Sequence, residues 1–495
     1  MKKLLPLILI LCLVKLAIHL IGNGNYGFHR DELLHLSAGE HLARGYMEFP
    51  PFIAFMGKLA TSVFGYSVSG VRFFVTLAGI GLLALTCAIA YELGGGKKAV
   101  LLAGICVLGF LPYFRNHLLF QPVGFEQFFW TLGFYCLLKF IKTKQAAWAI
   151  ALGITAGLGL LTKYTMLIWG GGLVVGLLFF DKGRIFRDKW LYIAGIIAML
   201  ILLPNIIWQW QHHFPIALHY QKLKEAQLSE IRPAAFGKDQ LKLPFTFIIS
   251  LIGAVAFFIN PKLKPYKALS VSVIFIFVTM WILQSKSYYF FAAYPVLFAA
   301  GSVQIEQWFT KRPVWNYVVA AILILPVIPF VPDAIPVLPV EKYVAYKHLK
   351  PGDDGRVQLT SDYADMFGWN DMVQVTDSVY RSLPPADKEQ AVILASNYGE
   401  AGAVFLLGKK YGLPEPVCSH GSFWLWGPGN KRGDVLISIG KSPDDMKQFF
   451  GEVTLVKKIT HPYTGEENNT SVCICRKPRI SLQQVWPGLE KKVFD

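Results

Sequence analysis

Long apolar runs recur through the first two thirds of the chain, near residues 4–21, 67–91, 99–113, 125–141, 146–161, 165–180, 191–208, 244–259, 268–283, 288–304 and 315–332. A bilayer crossing takes about 20 apolar residues, with tolerance for shorter runs. The pattern therefore predicts about eleven transmembrane helices. Past a proline-rich linker at 326–339 the pattern changes. There, 390–395, 434–439 and 453–459 read as strands, and 399–410 reads as a helix closed by Tyr411-Gly412. The expected architecture is an α-helical polytopic membrane protein over residues 1–332, with a small soluble α/β domain over 333–495.

Composition agrees: 54% of residues are hydrophobic and 16% charged, where a soluble domain carries roughly 25% charged residues. The net charge of +16 does not mark a nucleic-acid partner. From Asp333 onward there are 19 Lys+Arg against 20 Asp+Glu, leaving 29 against 12 in the apolar part. With Lys2 and Lys3 cytoplasmic, alternate loops carry Lys97 and Lys98, Lys142 and Lys144, the basic stretch 181–190, Lys262, Lys264 and Lys267, then Lys311 and Arg312. That is the positive-inside pattern. With eleven spans it makes the tail domain extracytoplasmic. The first apolar run lacks a small-residue cleavage pattern and is expected to stay as a helix.

The other set of loops then faces outward and holds most of the unusual polar residues. The first, 22–66, is too apolar and aromatic for a free linker. A helical pattern runs from Asp31 through Glu40, Leu42 and Ala43 toward Gly45, and Pro50-Pro51 marks the turn back, so interfacial helices are expected there. This loop contains the pair Asp31-Glu32 and a second acid, Glu48. Carboxylates beside a membrane crossing are costly and point to function.

The string HRDELLHLSAGEHLARGYMEFPP, residues 29–51, resembles the first-loop signature of polyprenyl-phosphate-sugar-dependent glycosyltransferases. That superfamily includes the protein O-mannosyltransferases and the bacterial aminoarabinose lipid A transferases. Other stretches fit it: Gly159 with Thr162-Lys163-Tyr164, Pro204-Asn205, Ser285-Lys286-Ser287-Tyr288-Tyr289, Tyr294-Pro295, and in the tail Asn397-Tyr398-Gly399-Glu400 with Phe423 to Pro428. The resemblance implies a GT-C-like fold, Asp31 as the catalytic acid, Glu32 as its neighbour and Glu48 as the second acidic motif. It also implies a polyprenyl-phosphate-linked sugar donor, an envelope glycan, lipid or protein acceptor, and direct inverting displacement. Phe49 departs from the aminoarabinose branch, where a lysine is expected beside the acid.

The residues suit that chemistry on physical grounds. Sugar transfer from a lipid phosphate needs a carboxylate to orient or deprotonate the acceptor and cations to hold the leaving phosphate. Asp31 fits the first task. Lys163, Lys286, Arg30 and Arg115, with Tyr288, are the candidates for the second. Each has a plainer reading: Asp31 as a partner of the helix dipole and Arg30, Glu32 as structural support, the cations as snorkelling side chains, and Tyr288, Tyr289 and Tyr294 as an interfacial belt.

No cofactor is required. A divalent metal on Glu48 with His212 or His213, or a His35–Asp31 pair on one helix face, is an alternative use of the histidines, though no compact metal motif is present. No phosphate-binding glycine loop marks a nucleotide donor; Gly94-Gly95-Gly96 reads as a turn. Among the cysteines, Cys473 and Cys475 point the same way on a strand, which leaves a bridge from Cys418 to one of them as an option in an oxidising compartment. Competing classes are a flippase for polyprenyl-linked glycans, which should show repeats or broken helices, and an inactive assembly protein.

Overall fold

The computed structural model describes residues 2–226, 233–465 and 467–490. Residues 227–232 lie outside the described residues. The helices are α1 (Leu5–Gly22), α2 (Arg30–Glu40), α3 (Phe52–Phe64), α4 (Val68–Glu92), α5 (Lys97–Gly109), α6 (Pro112–Asn116), α7 (Pro122–Thr143), α8 (Ala146–Thr162), α9 (Met166–Leu178), α10 (Lys189–Gln211), α11 (Pro215–Ala226), α12 (Pro233–Leu241), α13 (Pro244–Ile259), α14 (Lys267–Ile282), α15 (Tyr294–Trp308) and α16 (Trp315–Ile324). Each predicted apolar run carries one of them. Among the described residues six helices are long and apolar enough to cross a membrane, or seven if α12 and α13 act as one, while α3, α8 and α9 are apolar but shorter.

The first outer loop departs from its expected form. Helix α2 starts at a reciprocal cap: the Asp31 N–H donates to His29 Nδ1 (3.1 Å) and the His29 N–H donates to Glu32 Oε2 (2.8 Å). It ends at Glu40, short of Gly45. The Tyr46 hydroxyl lies 2.9 Å from the Ala38 carbonyl and 3.0 Å from that of His41, and accepts from the Ala43 N–H, so it binds the groups a continuing helix would pair. Residues Glu32 to Gly39 are all buried. Helix α2 is therefore not an amphipathic helix resting on lipid; the apolar outward surface of this loop belongs to α3, through Phe55, Leu59 and Val63.

What covers α2 is α3 on one side, Arg72 of α4 and the tail. Helix Tyr398–Leu407 crosses α2 so closely that a Cβ on Gly402 would meet Leu33 at 2.8 Å and one on Gly399 would meet Arg30 at 2.7 Å. Only glycine allows that approach without a shift. Behind this helix lies a five-stranded sheet of order β2-β1-β3-β5-β4, with β1 (Val392–Ala395), β2 (Val417–Cys418), β3 (Val435–Ile439), β4 (Phe450–Ile459) and β5 (Thr470–Pro478). Strand β1 runs parallel to β2 and β3, and β5 antiparallel to β3 and β4.

Side chains alternate across the sheet with period two. Ile393, Ile437, Val472 and Cys418 pack in one apolar cluster with Leu33 and Trp369, while Val392, Leu436, Cys473 and Cys475 pack in another with Met446 and Trp486. Cys418 and the Cys473/Cys475 pair thus face opposite sides of the sheet, and all seven cysteines are free thiols. The optional bridge does not form. Alkylation with a maleimide should accordingly label Cys418, Cys473 and Cys475 only after denaturation, with no difference between reduced and non-reduced samples; a reductant-dependent mobility shift would contradict this.

Candidate active site

The loops expected to face outward meet the tail at one end of the bundle, around the first turn of α2. Asp31 is held by two neutral donors: Gln121 Nε2 to Oδ2 (2.7 Å) and the Tyr398 hydroxyl to Oδ1 (2.8 Å). Each oxygen keeps a further acceptor site. Burial pushes the Asp31 carboxyl up, but the fields of His29 and His35, the Tyr398 hydrogen bond and Arg30 outweigh it, and the net direction is below the usual carboxylate range.

Glu32 points the other way. It is fully buried, paired to the equally buried Arg72 through Nε–Oε1 (2.9 Å) and Nη2–Oε2 (2.8 Å), and accepts the backbone N–H of Phe120 (2.8 Å) as well as that of His29. Arg72 also donates to the carbonyls of Asn23 and Gly27. This cluster ties α2, α4 and the turn after α6 together, and Glu32 lines neither of the two cavities at the site.

Those cavities meet at Asp31, Gln121 and Tyr288. One, of about 370 Å³, is polar and lined by His29, Arg30, Arg115, Lys286, Asp362 and Asp365. The other, of about 600 Å³, is mixed: Phe49, Pro50, Ile168 and Leu223 supply apolar wall, while Glu48, Lys163 and His219 supply polar groups. Phe49 is buried, edge-on to His35 (4.9 Å), so at the position where a lysine is expected the wall is aromatic.

The predicted cations fall into two sets. Arg115 grips Asp362 through two bonds (2.7 and 2.6 Å), and Arg30 lies 3.8 Å from Asp365, 3.7 Å from Glu467 and over the Tyr398 ring. Both therefore engage tail acids. Lys163 stands over the Tyr289 ring at 3.5 Å, with Glu126 of α7 at 3.3 Å. Lys286 lines the polar cavity; burial draws its ammonium below the ordinary range and Lys163 adds to this, with Asp31 opposing.

Tyr288 and Tyr289 are cavity walls, whereas Tyr294 is buried in the core with its hydroxyl on Gln240 (2.7 Å). Glu48 accepts the Ser422 backbone N–H (2.6 Å) and the Ser422 hydroxyl, and burial pushes its carboxyl up against those bonds. Asn205, in the quoted Pro204-Asn205 stretch, donates to the Arg44 carbonyl (2.8 Å) and accepts from Tyr164 (2.6 Å), anchoring the first loop to α10.

The Glu48–His212 set suggested for a metal does not assemble: His212 stacks on Trp208 at 4.0 Å. Among the described residues no group of three or more His, Cys, Asp or Glu side chains is arranged to hold a metal ion. Gln121, Tyr398, Asp362, Arg72, Glu126 and Ser422 carry the site's polar contacts without having been assigned roles from sequence. Only Tyr398 falls within a stretch that the resemblance singles out; the others have no spacing signal.

The fold is of the GT-C type, an apolar helical bundle joined to a small α/β domain. The chain aligns with the crystal structure of ArnT from Cupriavidus metallidurans bound to undecaprenyl phosphate at a TM-score of 0.64 and 12% identity, covering 95% of this chain and 98% of that one. The apo form of the same protein aligns at 0.61 over the same shares. Residues 48–208 match the dolichyl-phosphate-mannose-protein mannosyltransferase family model. Two curated relatives are an uncharacterized protein of Aquifex aeolicus, 27% identical over 58% of this chain and 55% of its own length, and lipid A galacturonosyltransferase RgtD of Rhizobium johnstonii, 25% identical over 40% and 41%. The chain thus spans about half the length of the curated relatives it matches.

Proposed function

We propose that the protein is an integral-membrane glycosyltransferase that moves a sugar from a polyprenyl-phosphate carrier to an envelope glycan, lipid or protein on the extracytoplasmic face of a bacterial inner membrane. The observation that carries this is the placement of Asp31 in the wall common to a polar cavity and a mixed, partly apolar one. The mixed cavity suits a carrier whose chain runs along apolar wall and whose phosphate lies where the two cavities meet, between Lys163 of the mixed cavity and Lys286 of the polar one. The polar cavity suits an acceptor arriving from water.

In the reaction the acceptor oxygen or nitrogen attacks the anomeric carbon, the bond from that carbon to the phosphate oxygen breaks with inversion, and the carrier phosphate leaves with the electron pair. Asp31 orients the acceptor and takes its proton. A carboxylate held below the usual range is ionised at neutral pH and ready to accept. Lys163 and Lys286 neutralise the leaving phosphate. Glu32 serves as scaffold through Arg72, and Arg30 and Arg115 serve by seating the tail. Glu48, in the mixed cavity, faces the donor. Substituting Lys286 or Lys163 with Gln should raise the KM for donor about tenfold or more, the scale of one charge-assisted contact, with R115K affecting it less. An unchanged donor KM in both lysine variants would remove them from the phosphate site.

The direct test supplies the purified protein in lipid nanodiscs with undecaprenyl-phosphate-linked radiolabelled hexose, uronic acid or amino-pentose, each with envelope extract. Transfer of label from carrier to extract with at least one sugar is expected. Bound carrier that never loses its label would overturn the proposal in favour of a carrier-translocating protein.

A further inference from the structure

The tail domain bonds directly to the two first-loop acids that line the cavities, Asp31 and Glu48. Tyr398, the first residue of helix Tyr398–Leu407, donates to Asp31 across 367 residues of sequence, and Ser422 binds Glu48 with its backbone N–H and its hydroxyl while accepting the Met47 N–H (3.1 Å). Elsewhere the contact is of another kind: Lys409 pairs with Glu40 (3.1 Å), and His41 meets Glu415 (2.7 Å) and stacks on Trp426 (4.1 Å), all at the rim and away from both cavities. The domain is thus docked at the rim as well as through Arg30 and Arg115 beside the polar cavity, and it reaches Asp31 and Glu48 with Tyr398 and Ser422.

We propose that the soluble tail is part of the transfer site and supplies two positioning residues, Tyr398 for Asp31 and Ser422 for Glu48. The inference rests on the reading of Asp31 as the acceptor-orienting carboxylate and extends it to a domain that otherwise reads as a cover.

The physical case for Tyr398 is one of direction. A carboxylate rotates freely about its last bond unless both oxygens are held; Gln121 holds one and Tyr398 the other, which leaves the remaining acceptor sites in a fixed orientation. Helix Tyr398–Leu407 can present the hydroxyl there because Gly399 and Gly402 let it approach α2, and because Asn397 caps its start by accepting the N–H groups of Gly399 (2.9 Å) and Glu400 (3.0 Å). The groups facing Asp31 are His29, Arg30 and His35 from its own loop, Arg115 from α6 and Gln121 from the turn after it, Lys286 from the loop before α15, and Tyr398, Asp362 and Asp365 from the tail. Of these, Tyr398 and Gln121 bond its oxygens.

The test uses the full-length protein in nanodiscs with the undecaprenyl-phosphate-linked sugar and extract that support transfer, comparing Y398F, S422A and the rim variant K409A. Removing one hydrogen bond to a charged group should lower kcat about 10- to 100-fold in Y398F, with donor KM unchanged. The acid limb of its pH profile should move to higher pH, because the lost hydroxyl favoured the ionised carboxylate. S422A should lower kcat without moving that limb, and K409A should leave kcat, KM and the profile as in the parent.

Parent-like kcat and pH profile in Y398F would overturn the proposal. So would equal losses in Y398F and K409A accompanied by the same drop in melting temperature, which would make the tail a docked cover. D31N, run in parallel, separates the two levels: full activity there would defeat the reading of Asp31 itself, whereas an inactive D31N beside a fully active Y398F defeats only the role of the tail.

Discussion

Asp31→Asn is expected to abolish sugar transfer, with a loss of about 10²–10⁴-fold, the range a positioned general base contributes, while carrier binding stays near that of the parent. The substitution keeps the size of the side chain but removes the negative charge. It also mismatches the two donors: Gln121 Nε2 and the Tyr398 hydroxyl both point hydrogens at Asp31, and an amide offers an acceptor to only one of them.

The pH profile supplies a second check. Because the folded carboxyl lies below its ordinary range, activity should hold through neutral and mildly acidic pH and fall only as pH drops through that lowered value, where Asp31 takes up a proton. A measured acid limb above the ordinary carboxylate range would contradict the assignment. So would wild-type turnover in the Asn variant.

The second large effect concerns folding rather than turnover. Arg72→Ala leaves Glu32 as a buried carboxylate with only the N–H groups of His29 and Phe120 for partners, and removing one member of a buried charge pair costs about 3–5 kcal/mol. We expect a large fall in melting temperature and poor recovery from the membrane. Glu32→Gln should act in the same direction, while the double variant with Leu at both positions should regain part of the loss, since no charge is then stranded.

The pair also makes stability depend on pH. Burial raises the Glu32 carboxyl, but Arg72 and the two backbone donors overcome this and hold it below its unfolded value. Its contribution is therefore present above the unfolded pKa and is lost as pH falls through the lower, folded one. Thermal melts in detergent across acid pH, parent against double variant, measure this. Identical acid sensitivity in the two proteins would show that the pair does not set it.

The quoted first-loop string holds residues with quite different duties, and chain position does not separate them. Asp31 and Glu32 are neighbours with the same functional group, yet one opens on two cavities and the other is locked inside the protein. Rotation by about 100° per residue around α2 accounts for the split, but which side faces the cavities depends on where α4 and the tail pack. Lys163 and Arg115 are likewise equivalent as outward cations after apolar runs. Tertiary contacts put the first over Tyr289 in the mixed cavity and the second on Asp362 of the tail. The α2 terminus was misjudged from pattern for the same kind of reason: Tyr46 folds back and binds the carbonyls of Ala38 and His41, an interaction that hydrophobic periodicity does not register.

The linear sequence by itself determined the apolar helices, the change to a small α/β tail and the loop rich in acids. These follow from hydrophobicity and charge summed over windows of neighbouring residues, which is what a bilayer senses. Whether Cys418 can reach Cys473, whether Glu32 lines a cavity and whether the tail contacts Asp31 and Glu48 were decided only in three dimensions. The deciding contacts, Asp31 with Tyr398, Glu48 with Ser422 and Glu32 with Arg72, join segments 367, 374 and 40 residues apart. A hydrogen bond is directional over about 3 Å, so it exists only where packing has already brought its partners together.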